Sequence, residues 1–134
     1  NLIELADELN LQNNIIFFFY MEREQVKSLM HESQFYVLSS HVETFGVVVI
    51  EALSQGTPVV ATNCGGPESI LTQEDGYLVD VNNVDALAEG MKSILVNSGK
   101  FNSVDIRNRC LERFSEKAFI ERVLNIYQVC MDKA

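Results

Sequence analysis

Two apolar runs of strand length, Phe35-Tyr36-Val37-Leu38 and Thr57-Pro58-Val59-Val60-Ala61, flank a run of helical length, Val47–Ser54. Strand, helix and strand within about 30 residues make a βαβ unit, and its crossover should be right-handed. Strands of a parallel sheet are buried on both faces, so they read as continuous apolar runs without polar alternation. Both runs have that character. Pro58 stands at the beginning of its run, where a strand tolerates proline. Gly56 follows the helical run and is placed to end it in the left-handed conformation.

The rest of the chain extends this pattern. Leu2, Ile3, Leu5, Ala6 and Leu9 recur at helical spacing, with Glu4, Asp7 and Glu8 on the other face. Ile15-Ile16-Phe17-Phe18-Phe19-Tyr20 is β-branched and aromatic throughout and reads as a strand buried on both faces. Glu22–His31 predicts a short helix, Glu68–Leu71 one helical turn, and Gly76–Val79 a further strand. Asp85–Val96 is amphipathic, with Leu87, Met91, Ile94 and Leu95 on one face. Two helices close the chain, Val104–Arg113 and Glu116–Met131, with Ser115 as N-cap between them. The last carries Phe119, Ile120, Val123, Leu124, Tyr127 and Met131, a stripe wide enough to pack on a body larger than its neighbour. These elements predict an α/β chain: a Rossmann-like open parallel sheet with helices on both faces. Its 134 residues suit a single domain, 1–134, with C-terminal helices over 101–132. Such sheets bind ligands beyond the carboxyl ends of their strands. The loops Ser39–Gly46 and Asn63–Glu68 leave strand ends there and should face one crevice.

Charge narrows the ligand. The net charge is −9, which argues against a nucleic-acid surface. Between Lys27 and Lys92 there is no Lys or Arg, while that interval holds nine acidic residues, Glu43 and Glu51 among them. Side chains of this segment cannot neutralise a phosphorylated ligand. Backbone N–H groups, or basic residues from elsewhere, would have to. No apolar run reaches the roughly 18 residues of a membrane span, and no signal-peptide pattern opens the chain. Cys64, Cys110 and Cys130 form neither a metal-ligand pattern nor a disulfide framework. They are expected to be reduced thiols of a cytoplasmic protein. The chain opens on Asn1 and enters a helical pattern at once, which we read as a piece of a longer protein, truncated at its N-terminus.

Glu43 and Glu51 bracket a segment whose only polar side chain is Thr44. Eight residues at 100° each turn Glu51 about 80° around a helix axis from Glu43, if Glu43 is counted as helical. The two carboxylates therefore suit two parts of an extended ligand. They do not suit the 5–5.5 Å pairing of a retaining glycosidase. A carboxylate accepts from two hydroxyls at once, and the vicinal diols of a ribose or hexose present two. The N–H groups of Thr44, Phe45, Gly46 and Val47 are the open donors of a helix N-terminus. Together these predict an anion site flanked by two diol acceptors, the outline of a nucleotide sugar. No metal is expected.

The run Glu43-Thr44-Phe45-Gly46, with Glu51-Ala52-Leu53-Ser54-Gln55-Gly56-Thr57-Pro58-Val59-Val60-Ala61, resembles the signature of retaining GT-B glycosyltransferases, group 1 or family 4. The resemblance continues through Gly65-Gly66-Pro67-Glu68, Gly76-Tyr77-Leu78-Val79 and Glu112-Arg113-Phe114-Ser115, in the family's order. It implies that this chain is the C-terminal, donor-binding half of the fold. It implies that Glu43 contacts the donor sugar at the catalytic centre, that Thr44, Phe45, Gly46 and Val47 hold sugar hydroxyls and phosphate, and that Glu51 binds the ribose. The loop around Tyr20–Arg23, with Met21 and Arg23, would border the nucleobase. The Arg and Lys that clamp the diphosphate in the family lie upstream. So does the N-terminal domain that carries the acceptor, and any membrane association is expected only through it. Phe19 stands where the family often has glycine, a change that bears on the base pocket.

Several residues keep two readings. Ser40 either bonds a phosphate or closes the strand end. Gly65 and Gly66 are turn glycines or close-approach glycines for the ligand. Glu68 caps its helical turn or meets the sugar. His41 reaches the crevice or stays a local hydrogen-bonding residue. The function implied is hexosyl transfer with retention from a nucleotide sugar to a glycan or lipid, the fragment alone being inactive. The alternatives are a non-catalytic nucleotide-sugar-binding module and a GT-B-fold epimerase.

Overall fold

The computed structural model describes residues 1–132. In chain order it contains α1 (Leu2–Glu8), α2 (Arg23–Glu32), β1 (Tyr36–Leu38), α3 (Val47–Ser54), β2 (Val59–Thr62), α4 (Pro67–Ile70), β3 (Gly76–Val79), α5 (Val84–Val96), a 3₁₀ turn at Ser98–Lys100, α6 (Ser103–Phe114) and α7 (Glu116–Met131). The strands form one parallel sheet in the order β1-β2-β3, with Val37 opposite Val60 and Ala61 opposite Leu78. Every helix expected from the apolar spacing is present within a residue or two. Ser115 caps α7 by accepting from the Ala118 N–H. No helix among the described residues is long and apolar enough to cross a membrane.

The strand pleat divides the core. Val59 and Ala61 point to one face, where they meet Val49, Ala52 and Leu53 of α3 and Ile106 and Cys110 of α6 in one buried cluster. Burying a Val, Leu or Ile side chain of this kind contributes about 1.5–3 kcal/mol. Val60 and Val79 point to the other face, under α5. A Cβ on Gly90 would lie 3.0 Å from Val60 Cγ1, so glycine lets that helix seat close to the sheet. Helices therefore cover both faces, and α3 is sandwiched between the sheet and α6. Burial pushes the Cys110 thiol up in pKa, with the Asp75 charge adding and Arg113 opposing. It remains a protonated packing group beside the Ile50 carbonyl.

The residues Ile15–Tyr20 do not form the expected strand. They form no regular element and bend at Phe19, with Phe19 87% and Tyr20 79% exposed. β-Propensity describes how well a side chain fits a pleated, half-covered surface. Here no strand of the described chain lies alongside to supply ladder partners, and the backbone is left to water. The apolar stripe of α7 is likewise uncovered. The helix buries none of its side chains, and Phe119, Leu124 and Tyr127 are all more than half exposed. The body that the stripe is wide enough to pack on is not among the described residues.

One polar network crosses the core. Asp75 is buried, and its carboxylate receives the Arg109 Nε–H at 2.9 Å and the Thr72 hydroxyl at 2.7 Å. Arg109 also donates to the Glu74 carbonyl at 2.9 Å. This ties α6 to the turn before β3. Removing the guanidinium would leave a buried carboxylate with one hydroxyl partner, a loss of about 3 kcal/mol or more. Arg109→Ala should accordingly lower the urea midpoint, and Arg109→Lys should recover only part of it because an ammonium cannot reproduce the fork. An unchanged midpoint in Arg109→Ala would show that the pair carries no stability.

Candidate functional site

At the carboxyl edge of the sheet, the loop after β1 and the loop after β2 touch through their backbones. Glu43 and Gly65 form an isolated parallel bridge. The Glu43 N–H donates to the Cys64 carbonyl at 3.1 Å, and the Gly66 N–H donates to the Glu43 carbonyl at 2.7 Å. Glycine makes the approach possible. Gly65 sits at φ +123°, and a Cβ there would lie 2.7 Å from the Glu43 carbonyl oxygen. A Cβ on Gly66 would lie 2.3 Å from the carbonyl carbon and oxygen of Phe45. The turn reading of these glycines is thus filled by the protein itself, with backbone pressed on backbone.

Gly46, in the left-handed conformation at φ 89°, turns the chain into α3 and is its N-cap. It offers no side chain to the first N–H groups of the helix, and the nearest carboxylate binds the two N–H groups just before them. Glu43 Oε1 accepts from the Phe45 N–H at 3.3 Å and the Gly46 N–H at 3.2 Å. This corrects one expectation: not all of the N–H groups from Thr44 to Val47 are open, since Phe45 and Gly46 donate to Glu43. A helix start attracts negative charge, and here a carboxylate of the same loop answers that attraction. Val47 and Val48 N–H have no acceptor among the described residues. Because α3 begins at Val47, Glu43 is not helical, and the 80° count between the two glutamates does not describe their relation.

Glu68 shows the same behaviour. Both its oxygens accept from the Gly65 N–H at 2.8 Å, a local bond that holds the loop before α4. Arg113 fastens the other end of that short helix, donating to the Ile70 carbonyl at 2.8 Å and the Ser69 carbonyl at 3.0 Å. The sequence reading gave Arg113 no role. A signal was present: Ile106, Arg109, Cys110 and Arg113 share one helical face, which sets two cations on the buried side of α6.

Glu51 lies on α3, half-buried. Arg23, at the first position of α2, approaches it with Nη2 at 3.6 Å. Tyr36 of β1 is close enough that the Glu51 charge raises its phenol pKa, after burial as the larger cause. The structure therefore brings Arg23 to Glu51. Met21 goes elsewhere, into a shallow groove along α2 with Gln25 and Leu29. Ser40 closes the strand end through its carbonyl, which accepts from the Thr62 hydroxyl at 2.5 Å. Its side chain borders a hollow between the strand ends and α5, shared with His41, Thr62 and Asn82. Thr44 and Phe45 are exposed at the mouth of the α3 start. Two acceptor groups, Glu43 with the helix amides and Glu51 with Arg23, thus stand at the start and along the length of one helix.

The family model for Glycosyl transferases group 1 matches residues 1–116. A 2-deoxystreptamine N-acetyl-D-glucosaminyltransferase of Niallia circulans is 32% identical over 121 residues, covering 88% of this chain and 31% of that protein. Sucrose-phosphate synthase from Thermosynechococcus elongatus superposes with a TM-score of 0.83 at 26% identity, over 99% of this chain and 34% of that one. The Anabaena protein HepE, solved in complex with UDP, superposes at 0.84 with 22% identity, over 96% of this chain and 36% of that one. The chain spans about a third of the length of the relatives it matches.

The loop contact makes a sharp test. Gly66 has helical dihedrals, φ −61° and ψ −49°, so alanine gains up to about 1 kcal/mol from local propensity. Against this stands overlap with the Phe45 backbone, which cannot rotate away, and overpacking costs about 1–3 kcal/mol. The overlap should win. Gly66→Ala is expected to lower stability in urea by about 1–2 kcal/mol, whereas Gly99→Ala, whose Cβ would meet nothing within 4 Å, should not. Equal stability of Gly66→Ala and parent would mean that the two loops are not pressed together.

Proposed function

The chain belongs to the group 1 glycosyltransferases, and from that membership we propose that it is the donor-binding part of an enzyme moving a hexosyl group from a nucleotide sugar to a glycan or lipid acceptor with retention of configuration. The observation that carries this reading is the pair of acceptor groups along α3, separated by a helix N-terminus that retains open N–H groups. The HepE neighbour was solved with UDP, and the same class of ligand suits the chemistry here.

In this reading Glu51 accepts from both hydroxyls of the ribose. Arg23 sits beside it, at the border of the base, and offsets its charge. The diphosphate lies over the start of α3, where Val47 and Val48 offer N–H groups. An arriving phosphate or sugar oxygen competes with the Glu43 carboxylate for Phe45 and Gly46. Once displaced, that carboxylate turns to the donor sugar, whose hydroxyls can donate to it. Transfer then follows the same-face course that the family resemblance implies. The departing phosphate helps to deprotonate the acceptor, and Glu43 orients the sugar and stabilises charge. No side chain between Ser28 and Met91 is cationic. The reading therefore draws the remaining phosphate-neutralising residues, with the acceptor site, from sequence outside this chain. It assigns no metal. The fragment by itself binds donor weakly and does not turn over.

Titration of UDP-, GDP- and ADP-sugars into the full-length protein tests the assignment. One nucleotide class should bind, and Glu51→Ala should weaken it about 100-fold or more, since each of two charge-assisted hydrogen bonds is worth about 1.5–3 kcal/mol. Binding of no nucleotide sugar, or parental affinity in Glu51→Ala, would remove the ribose site.

A further inference from the structure

Glu43 is held on one side by the loop after β2. The loop after β3 reaches the same segment from the other side, through a contact the donor-site reading does not use. His41 Nε2 and Asn82 Oδ1 lie 2.8 Å apart. An amide oxygen only accepts, so His41 Nε2 carries the hydrogen and donates. Asn82 is one of two non-glycine residues with positive φ among those described, at φ 59°. That conformation is what brings its side chain back toward the loop after β1.

The pair is poorly explained by stability. Both residues are exposed. The net gain of one exposed hydrogen bond is of the same order as the penalty for a left-handed non-glycine residue. What the contact does is geometric. His41 stands two residues before Glu43, and Val42 between them is 80% exposed and packs on little. Without the bond, the chain is anchored at the Ser40 carbonyl by the Thr62 hydroxyl and where Glu43 meets Cys64 and Gly66, and His41 and Val42 between those points have no other hydrogen bond among the described residues. The Glu43 carboxylate is itself held by two long bonds, at 3.3 and 3.2 Å. Its position is therefore set more by its backbone than by its own contacts.

We propose that His41 and Asn82 form a latch that positions Glu43, closing the segment 41–43 between the loops after β3 and β2. Both are positioning residues, and neither need touch the donor. The proposal rests on the reading of Glu43 as a donor-sugar contact, and its test separates the two.

The test uses His41→Ala, Asn82→Gly, the double variant and Asn82→Asp in the full-length protein. Glycine keeps the left-handed backbone while removing the amide, so Asn82→Gly isolates the side chain. Asn82→Asp keeps an acceptor for His41. Each single variant should speed amide exchange at Phe45 and Gly46 about threefold or more. Each should also weaken the tightest binder among UDP-glucose, GDP-glucose and ADP-glucose by about three- to tenfold. The double variant should be no worse than either single one, and Asn82→Asp should stay close to the parent in both measurements. Parental exchange and affinity in Asn82→Gly would overturn the latch, as would additive effects in the double variant. If the parent binds no nucleotide sugar while the exchange pattern holds, the latch stands and the donor-site reading falls. If the parent binds and the variants change nothing, the reverse is true.

Discussion

The site depends on one contact between two stretches of backbone. The loops after β1 and β2 meet at Glu43 and Gly65, and nothing larger than a hydrogen atom fits where their glycines face the opposing chain. From that contact the rest follows in steps. Gly66 begins α4 against Phe45, Arg113 holds the far end of α4 by its carbonyls, and α6, which carries Arg113, is packed on α3. The helix whose start forms the site is thus braced by the same elements that position the loop opposite it. A rigid closed circuit of this kind is how a fold holds polar groups in place at a sheet edge without burying them.

The electrostatics of the edge follow from that arrangement. The segment supplies carboxylates and no cations, yet the carboxylates are not left to repel one another. Glu43 turns to the amides of its own helix start, Glu68 to the Gly65 amide, and Glu51 to Arg23. Each acidic group finds a positive partner of a different origin: the amides at the helix start, a loop amide and a guanidinium at ion-pair distance. A helix start is equivalent to roughly half a positive charge, comparable in kind to what a phosphate would seek there. The proposed donor must therefore exchange with a carboxylate already in place. Its gain is the difference between two anions at one site, which helps to explain why basic residues from outside the chain are needed in that reading.

Much of the fold was legible because burial writes itself into sequence. Val59-Val60-Ala61 is apolar on both faces since α3 and α5 cover both, and the helices carry their stripes at the spacing that packing demands. The same logic misled at Ile15–Tyr20. Those residues have strand composition, but a strand also needs a neighbour, and propensity contains no information about which neighbour is present. Arg109 and Arg113 were missed for a related reason. A cation on a buried helix face is defined by the carbonyl or carboxylate it meets, Asp75 for one and the end of α4 for the other, and those lie more than 30 residues away in sequence.

The site was legible in its residue types and not in their partners. A carboxylate before a helix start, glycines at a loop contact and a second carboxylate along the helix could all be read in order. Their hydrogen bonds could not, because a flexible acceptor chooses among donors by distance, and distance is set by backbone turns. Gly46 decides the case. By taking a left-handed conformation and offering no capping side chain, it bends the chain so that Glu43, three residues before it, falls within reach of its own N–H. A serine or aspartate as N-cap would accept from the second or third N–H of the helix, whereas Gly46 leaves the Val47 and Val48 N–H groups without an acceptor and Glu43 takes the two N–H groups just before them. The glycine thus does two things at once: its turn brings the Glu43 carboxylate to the amides before the helix, and its missing side chain leaves the first amides of the helix uncapped.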